Sequence, residues 1–151
     1  MTIAFAVPRG RTAGNLAPPP PFEQRIVPPA APGRGQIMVK FTILLKRKPS
    51  LTHDQFVEHH RNIHADLFMS VAVVKATVRR YVQQHALPVE LPGMPPVKYD
   101  GVTELWFDDV EALERCFSDS EYLQRIRPDE ESFLDLHGCD FIVSRENVVK
   151  A

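Results

Sequence analysis

Residues 37–68, IMVKFTILLKRKPSLTHDQFVEHHRNIHADLF, change hydrophobic period once, and that change sets the fold class. From Ile37 to Leu45 the chain is almost continuously apolar, rich in β-branched and aromatic residues. This is the pattern of a strand that meets apolar neighbours on both faces. Pro49 ends the run. Thr52 then stands as a helix N-cap, and Gln55 three residues on completes a capping box. The spacing predicts a helix from there to Phe68 or a little beyond. On a wheel of about 100° per residue, Phe56, His60, Ile63 and Leu67 form the inward stripe. His64 flanks that stripe, and His59 lies nearer to solvent.

Outward from this unit the pattern stays regular. TVRRYVQQHAL (77–87) alternates as a second strand, and PVELPGMPPVK (88–98), with four prolines, is a loop. YDGVTELWFD (99–108) is a third strand, with Asp108 or Asp109 capping the amphipathic helix that follows. SDSEYLQRIRPDEESFLD (118–135) continues as one or two short helices interrupted at Pro128. GCDFIVSRENVV (138–149) is the last strand. The order β-α-β-β-α-β is the ferredoxin-like arrangement of the α+β class, an antiparallel sheet with helices on one face. Phe117, Tyr122 and Phe133, with Leu113 and Leu123, supply the helix-side core, and RPDEESF (127–133) reads as a solvated turn. The first strand is apolar on both faces, so a second copy of the sheet is expected to cover the open one, giving a homodimer.

With 151 residues, 44% apolar and 25% charged, the chain suits one globular domain. A net charge of −1 gives no basis for a nucleic-acid or anionic-membrane partner, and no apolar run is long enough for a membrane span. Cys116 and Cys139 stand outside any metal-ligand spacing and read as lone thiols, consistent with a cytoplasmic protein. Eight of the 14 prolines fall between Pro8 and Pro32, with Arg9, Arg11, Arg25 and Arg34 against the single acid Glu23. Residues 1–36 are therefore expected to be a disordered Pro/Arg-rich extension, and 37–150 the folded domain. A targeting peptide, or a start that belongs at Met38, fits the same composition. The chain has no phosphate-binding glycine loop, dinucleotide fingerprint or nucleophile elbow.

The candidate chemistry lies in histidines and a few polar groups on apolar elements. His60 and His64, at i and i+4, are spaced for a shared metal ion, with His85, Glu104, Asp100 or His137 to complete a site. They equally fit core-edge groups with backbone or carboxylate partners, or an acid/base device in a pocket between helix and sheet. Glu104 sits beside Trp106 on one face of the third strand and needs a partner, for which Arg79 or Arg80 is available. Tyr81, Gln83 and His85 share a face with Arg79, and Tyr81 suits either a core tyrosine or a phenol that positions a substrate oxygen. Tyr99 and Asp100 adjoin the proline-rich loop, which is a pocket lid or a rigid connector.

VKFTILLKRKPSLTHDQFVEHHRNIHADLF, RRYVQQHAL, YDGVTELWFD and FLDLHGCDFIVSRENVV together resemble the EthD domain family of the dimeric α/β-barrel superfamily, over 37–150. The marks are Phe56 with His64 eight residues on, the Tyr99–Phe107 strand, and Phe133-Leu134-Asp135 before the last strand. The resemblance implies a small cofactor-independent enzyme acting on an aromatic or polyketide-like hydrophobic substrate, without a metal. Decarboxylation, dehydration or cyclisation is implied, with a non-catalytic carrier for an oxygenase system or a cofactor-free oxidoreductase as alternatives. It assigns His64 the general acid/base role, to which the reading of the residues adds His60, Glu104 and Tyr81 as catalytic partners. His85, Phe56, Trp106, Tyr99 and Asp100 would bind substrate. The position of His60 is commonly aromatic in this family, which keeps the metal reading open.

Overall fold

The structure is a computed structural model that describes residues 38–150, so the expected disordered extension lies outside the described residues. Four strands, β1 (Val39–Leu45), β2 (Val78–His85), β3 (Gly101–Phe107) and β4 (Asp140–Arg145), form one antiparallel sheet in the order β2-β3-β1-β4. β1 and β2 flank β3 and run parallel to each other, the split β-α-β topology. In register, Val39, Phe41, Ile43 and Leu45 stand opposite Phe107, Leu105, Thr103 and Gly101. These residues line the face that the helices cover. Lys40, Thr42 and Leu44 stand opposite Trp106, Glu104 and Val102 on the other face. Among the described residues no helix is long and apolar enough to cross a membrane.

The first helical layer begins at α1 (His53–Glu58), where Thr52 Oγ1 accepts from Gln55 N at 3.2 Å and Gln55 Oε1 accepts from Thr52 N at 2.8 Å. The capping box is present, but the helix beyond it is not uniform. It widens into a π-helical stretch, π1 (His59–His64), before returning to α-helix in α2 (Ala65–Ser70). An α-helix turns about 100° per residue, so residues four apart drift by about 40° per step and about 120° over three steps. The wider π turn removes this drift. The inward stripe is therefore Phe56, His60, His64 and Phe68, at strict four-residue spacing. Ile63, expected inside, is 52% exposed, and Leu67 only half-buried. A further helix unmarked by the sequence pattern, α3 (Ala72–Thr77), buries Val74 and Thr77 and leads directly into β2.

The second layer repeats the device. After α4 (Val110–Ser118), capped by Asp109 Oδ1 on Ala112 N at 2.7 Å, comes π2 (Tyr122–Ile126), which runs into α5 (Arg127–Phe133). Pro128 follows directly on the widened π2 turn, in the first turn of α5, and does not interrupt the layer. RPDEESF is accordingly helix and not a solvated turn: Glu130 and Phe133 are buried beside Tyr122 and Ile126. Leu123, expected in the core, is 43% exposed because the widened turn rotates it outward.

Gly101 is required by a close approach. A Cβ there would meet the Gln84 carbonyl oxygen at 2.7 Å and the Phe56 ring at 3.3 Å. The absent side chain lets Phe56, fully buried, lie against the β3 backbone. Gly101→Ala is expected to cost about 1–3 kcal/mol of unfolding free energy, the usual range for overpacking. Urea titration measures this, and an unchanged midpoint would show that the two strands part without strain.

Candidate active site

Five aromatic side chains define a ring cluster between the first helical layer and α5. Phe133 is central: its ring centroid lies 4.5 Å from His59, 5.9 Å from His60, 5.2 Å from His64 and 6.0 Å from Phe56. On the far side of His64, Phe68 lies 5.9 Å away, and Tyr81 of β2 is a further 5.0 Å from Phe68. His64 and Tyr81 thus border the same aromatic residue from the helix and from the sheet.

His60 is 1% exposed and its two ring nitrogens are both engaged. Nδ1 meets His85 Nε2 at 3.1 Å, and Nε2 meets Thr103 Oγ1 at 3.0 Å. Burial first, then the neighbouring His64, His85 and His59, push its imidazolium pKa down to about 3, so the ring is neutral. One nitrogen then donates and the other accepts, and the Thr103 hydroxyl can serve either part. Burial also lowers His85. The π turn exposes the His60 carbonyl, which accepts from Gln83 Nε2 at 2.6 Å, and the same nitrogen donates to Tyr81 Oη at 2.6 Å. Burial raises the Tyr81 phenol to about 12, so it stays protonated with its own O–H left to donate.

His64 is held differently. Its Nδ1 lies 2.8 Å from Asp129 Oδ2, while Asp129 Oδ1 lies 2.7 Å from His59 Nε2. Burial would raise the Asp129 carboxyl, but the hydrogen bonds from His64 and His59 outweigh it and leave the group below the usual carboxylate range. An ionised carboxylate only accepts, so Nδ1 of His64 and Nε2 of His59 carry the protons. The other ring nitrogen of His64, Nε2, has no hydrogen-bond partner among the described residues. His59, expected as a free surface group, is instead partly buried, stacked on Phe133 and tied to α5.

The other expected site residues are not brought here. Glu104 and Trp106 lie on the opposite face of the sheet. Glu104 pairs with Lys40 at 2.5 Å and accepts from Gln84 at 2.9 Å, not from Arg79 or Arg80. A bulge between Val78 and Arg80 turns Arg79 out to Asp108, 2.5 Å away. Arg80 and Lys40 instead stack on Trp106, at 4.4 and 4.8 Å from the ring centre. Asp100 ties the end of β1 to β3, accepting from Arg47 N and Nε at 3.0 Å. Tyr99 donates to Asp140. Among the described residues no group of three His, Cys, Asp or Glu side chains is placed to hold a metal ion. Asp129 was missed by sequence reasoning. Its signal was the run Tyr122, Ile126, Glu130 at four-residue spacing, obscured by Pro128 and by an acid at an inward position.

Helices on one side of an antiparallel sheet in this order, with a histidine cluster between the layers, define a ferredoxin-like α+β domain. The chain belongs to the EthD domain family, which it matches over residues 48–137. A curated relative, the dehydratase aurZ of Gibberella zeae, is 25% identical over 112 residues, covering 68% of this chain and 73% of that protein. An EthD family protein from Bacillus halodurans superposes with a TM-score of 0.55 at 24% identity, over 73% of this chain and 99% of the other. A DABB family protein with a ferredoxin-like fold from Mesorhizobium loti gives 0.51 at 12% identity, over 75% and 98%.

The buried neutral His60 makes stability depend on pH. Below about 6.5 the unfolded chain takes up a proton at residue 60 that the folded chain refuses until about 3. Folded stability is thus full above that upper value and falls with pH through this window. Between pH 7 and 5 His60 is expected to contribute a loss of about 2 kcal/mol. Urea unfolding at both pH values should show this loss in the native protein and not in His60→Phe; equal losses would assign the acid sensitivity elsewhere.

Proposed function

We propose that the domain is a small cofactor-independent enzyme that removes water from an enolisable, aromatic or polyketide-like substrate, with His64 as the general acid/base. The observation that carries this reading is the single unengaged Nε2 of His64, whose other nitrogen is fixed on a carboxylate, at the edge of an aromatic cluster. A β-hydroxyketone is the substrate class whose dehydration calls for these two groups. Nε2 takes the proton from the carbon next to the carbonyl while the Tyr81 hydroxyl donates to the carbonyl oxygen. The imidazolium then returns the proton to the departing hydroxyl, the carbon–oxygen bond breaks and a carbon–carbon double bond forms. No oxidant or metal enters the balance. The dehydratase name of the fungal relative supports this choice over decarboxylation or cyclisation. Phe56, Phe68 and Phe133, all buried, pack around the histidines, and the hydrogen bond between His60 and His85 is already made. Glu104, Trp106, Tyr99 and Asp100 lie outside this reaction.

With an aromatic β-hydroxyketone as substrate, His64→Gln is expected to lower kcat/KM by about 10²–10⁴-fold. Tyr81→Phe should act mainly on kcat. Absorbance of the conjugated product follows both. Turnover that survives in His64→Gln removes the assignment, and binding without turnover in the native protein favours a carrier role.

The open face of the sheet supports a homodimer. Lys40, Glu104, Glu146, Arg80 and Trp106 form a network there that leaves Trp106 only 3% exposed, while Ile142, on the edge strand of the same face opposite Thr42, is 57% exposed. A second sheet would cover Ile142. Sedimentation velocity is expected to give the mass of two chains, and Ile142→Asp to give one chain with unchanged circular dichroism; a native monomer at micromolar concentration rejects the dimer.

A further inference from the structure

Asp129 and His59 are not part of the proton-transfer step, yet their geometry bears on it. One carboxylate takes two imidazole N–H groups, one on each oxygen: His64 Nδ1 on Oδ2 at 2.8 Å and His59 Nε2 on Oδ1 at 2.7 Å. The three groups come from two elements, π1 and α5. Each is separately immobilised. His59 is stacked on Phe133 at 4.5 Å with 27° between the planes, His64 is 7% exposed between Phe68, His60 and Phe133, and Asp129 lies in the first turn of α5.

An imidazole free in water places its single proton on either nitrogen, and only a fixed partner selects one. Here the selection matters because the two nitrogens of His64 face different surroundings: Nδ1 faces the carboxylate, and Nε2 has no partner among the described residues. A carboxylate bound to only one histidine could rotate and offer either oxygen. Bound to His59 as well, it cannot turn without losing that second hydrogen bond. His59 is therefore the brace of the arrangement, and its position directly before His60 in π1 is what allows it. In a uniform α-helix, residues 59 and 64 are five apart and point some 140° away from each other; the wider π turn brings both onto the α5 side.

We propose that Asp129 is the positioning residue of His64, and that His59 braces Asp129, so that the pair fixes the Nδ1–H tautomer and aims a bare Nε2 at the substrate. The proposal deepens the general-base reading of His64 and rests on it for its catalytic consequence, but the tautomer itself can be read without any substrate.

The experiment is two-dimensional long-range ¹H–¹⁵N correlation of the histidine rings in the full chain near neutral pH, in which protonated and bare ring nitrogens have well-separated shifts. In the native protein His64 is expected as the Nδ1–H form. In Asp129→Ala it should pass to Nε2–H or to a mixture. Asp129→Asn keeps the shape with one acceptor oxygen in place of two, so His59 and His64 cannot both be satisfied, and one of them must lose its fixed tautomer. His59→Phe keeps the stack on Phe133 but removes the brace, and should broaden the His64 signals while leaving Nδ1–H dominant. A native His64 in the Nε2–H form, or one unchanged in Asp129→Ala and Asp129→Asn, overturns the proposal. Kinetics on the same proteins then separate the two readings. A fall in kcat of about 10²–10⁴-fold in Asp129→Asn with little change in KM matches loss of the working tautomer, and restoration in part by Asp129→Glu supports positioning over packing. Tautomers that shift as expected while no variant, His64→Gln included, changes turnover uphold the clamp and reject His64 as the acid/base.

Discussion

The structure depends on the four-residue spacing of Phe56, His60, His64 and Phe68, which an α-helix of regular pitch cannot keep on one side. The π turn at His59–His64 supplies the missing width. Such turns have poorer backbone geometry than an α-helix and persist where the surroundings offset the cost. Here the offset is visible. The freed His60 carbonyl takes a hydrogen bond from Gln83, both nitrogens of His60 are satisfied, and His59 and His64 are held by Asp129. The second π turn, at Tyr122–Ile126, does the same for α5, bringing Glu130 inward while Asp129 and Phe133 meet the histidines. The first widened turn packs against α5, which follows the second, and that contact makes the cluster.

The sheet then divides the polar residues into two groups that do not meet. Alternation along β3 sends Thr103, Leu105 and Phe107 to the helices and Val102, Glu104 and Trp106 to the open face. Within each group most of the polar atoms find partners on their own face, as buried polar groups generally do. On the open face, Glu104 and Glu146 hold Lys40, and these pairs raise its ammonium pKa against the opposing effect of burial. On the helix face, Thr103 closes the chain that runs through His60 to His85.

The order of elements, the capping box, an aspartate cap at Asp108 or Asp109 and the inward place of His60 were legible from the sequence pattern, because each rests on local chemistry at a known spacing. The Phe56–His64 mark became legible through family resemblance. The failures on the helices share one cause. A wheel at about 100° per residue assumes an unbroken α-helix, so it placed Ile63 and Leu67 inside and His59 outside. The same assumption, with Pro128 taken as a stop, hid Asp129 and Glu130 in a supposed solvated turn. Glu104 was misplaced for a different reason: its strand face was read correctly, but nothing in one strand says which face the helices will cover. Arg79 failed because a bulge shifts every later residue to the other face, and no glycine or proline announces it.

Two histidines one turn apart, with rings 5.8 Å from centre to centre, are thus given opposite characters by their partners. If both took up protons their charges would repel in a poorly hydrated space. The fold prevents this by engaging both nitrogens of His60 and burying it, which keeps it neutral far below physiological pH. A proton that arrives at Nε2 of His64 therefore meets a neutral neighbour on one side and the Asp129 carboxylate on the other. Environment, and not residue type, separates the two histidines. An aromatic ring at position 60 would give the same protection more simply; the histidine adds a hydrogen-bonded link from Thr103 through the core to His85, and that link ties the first helical layer to both β2 and β3.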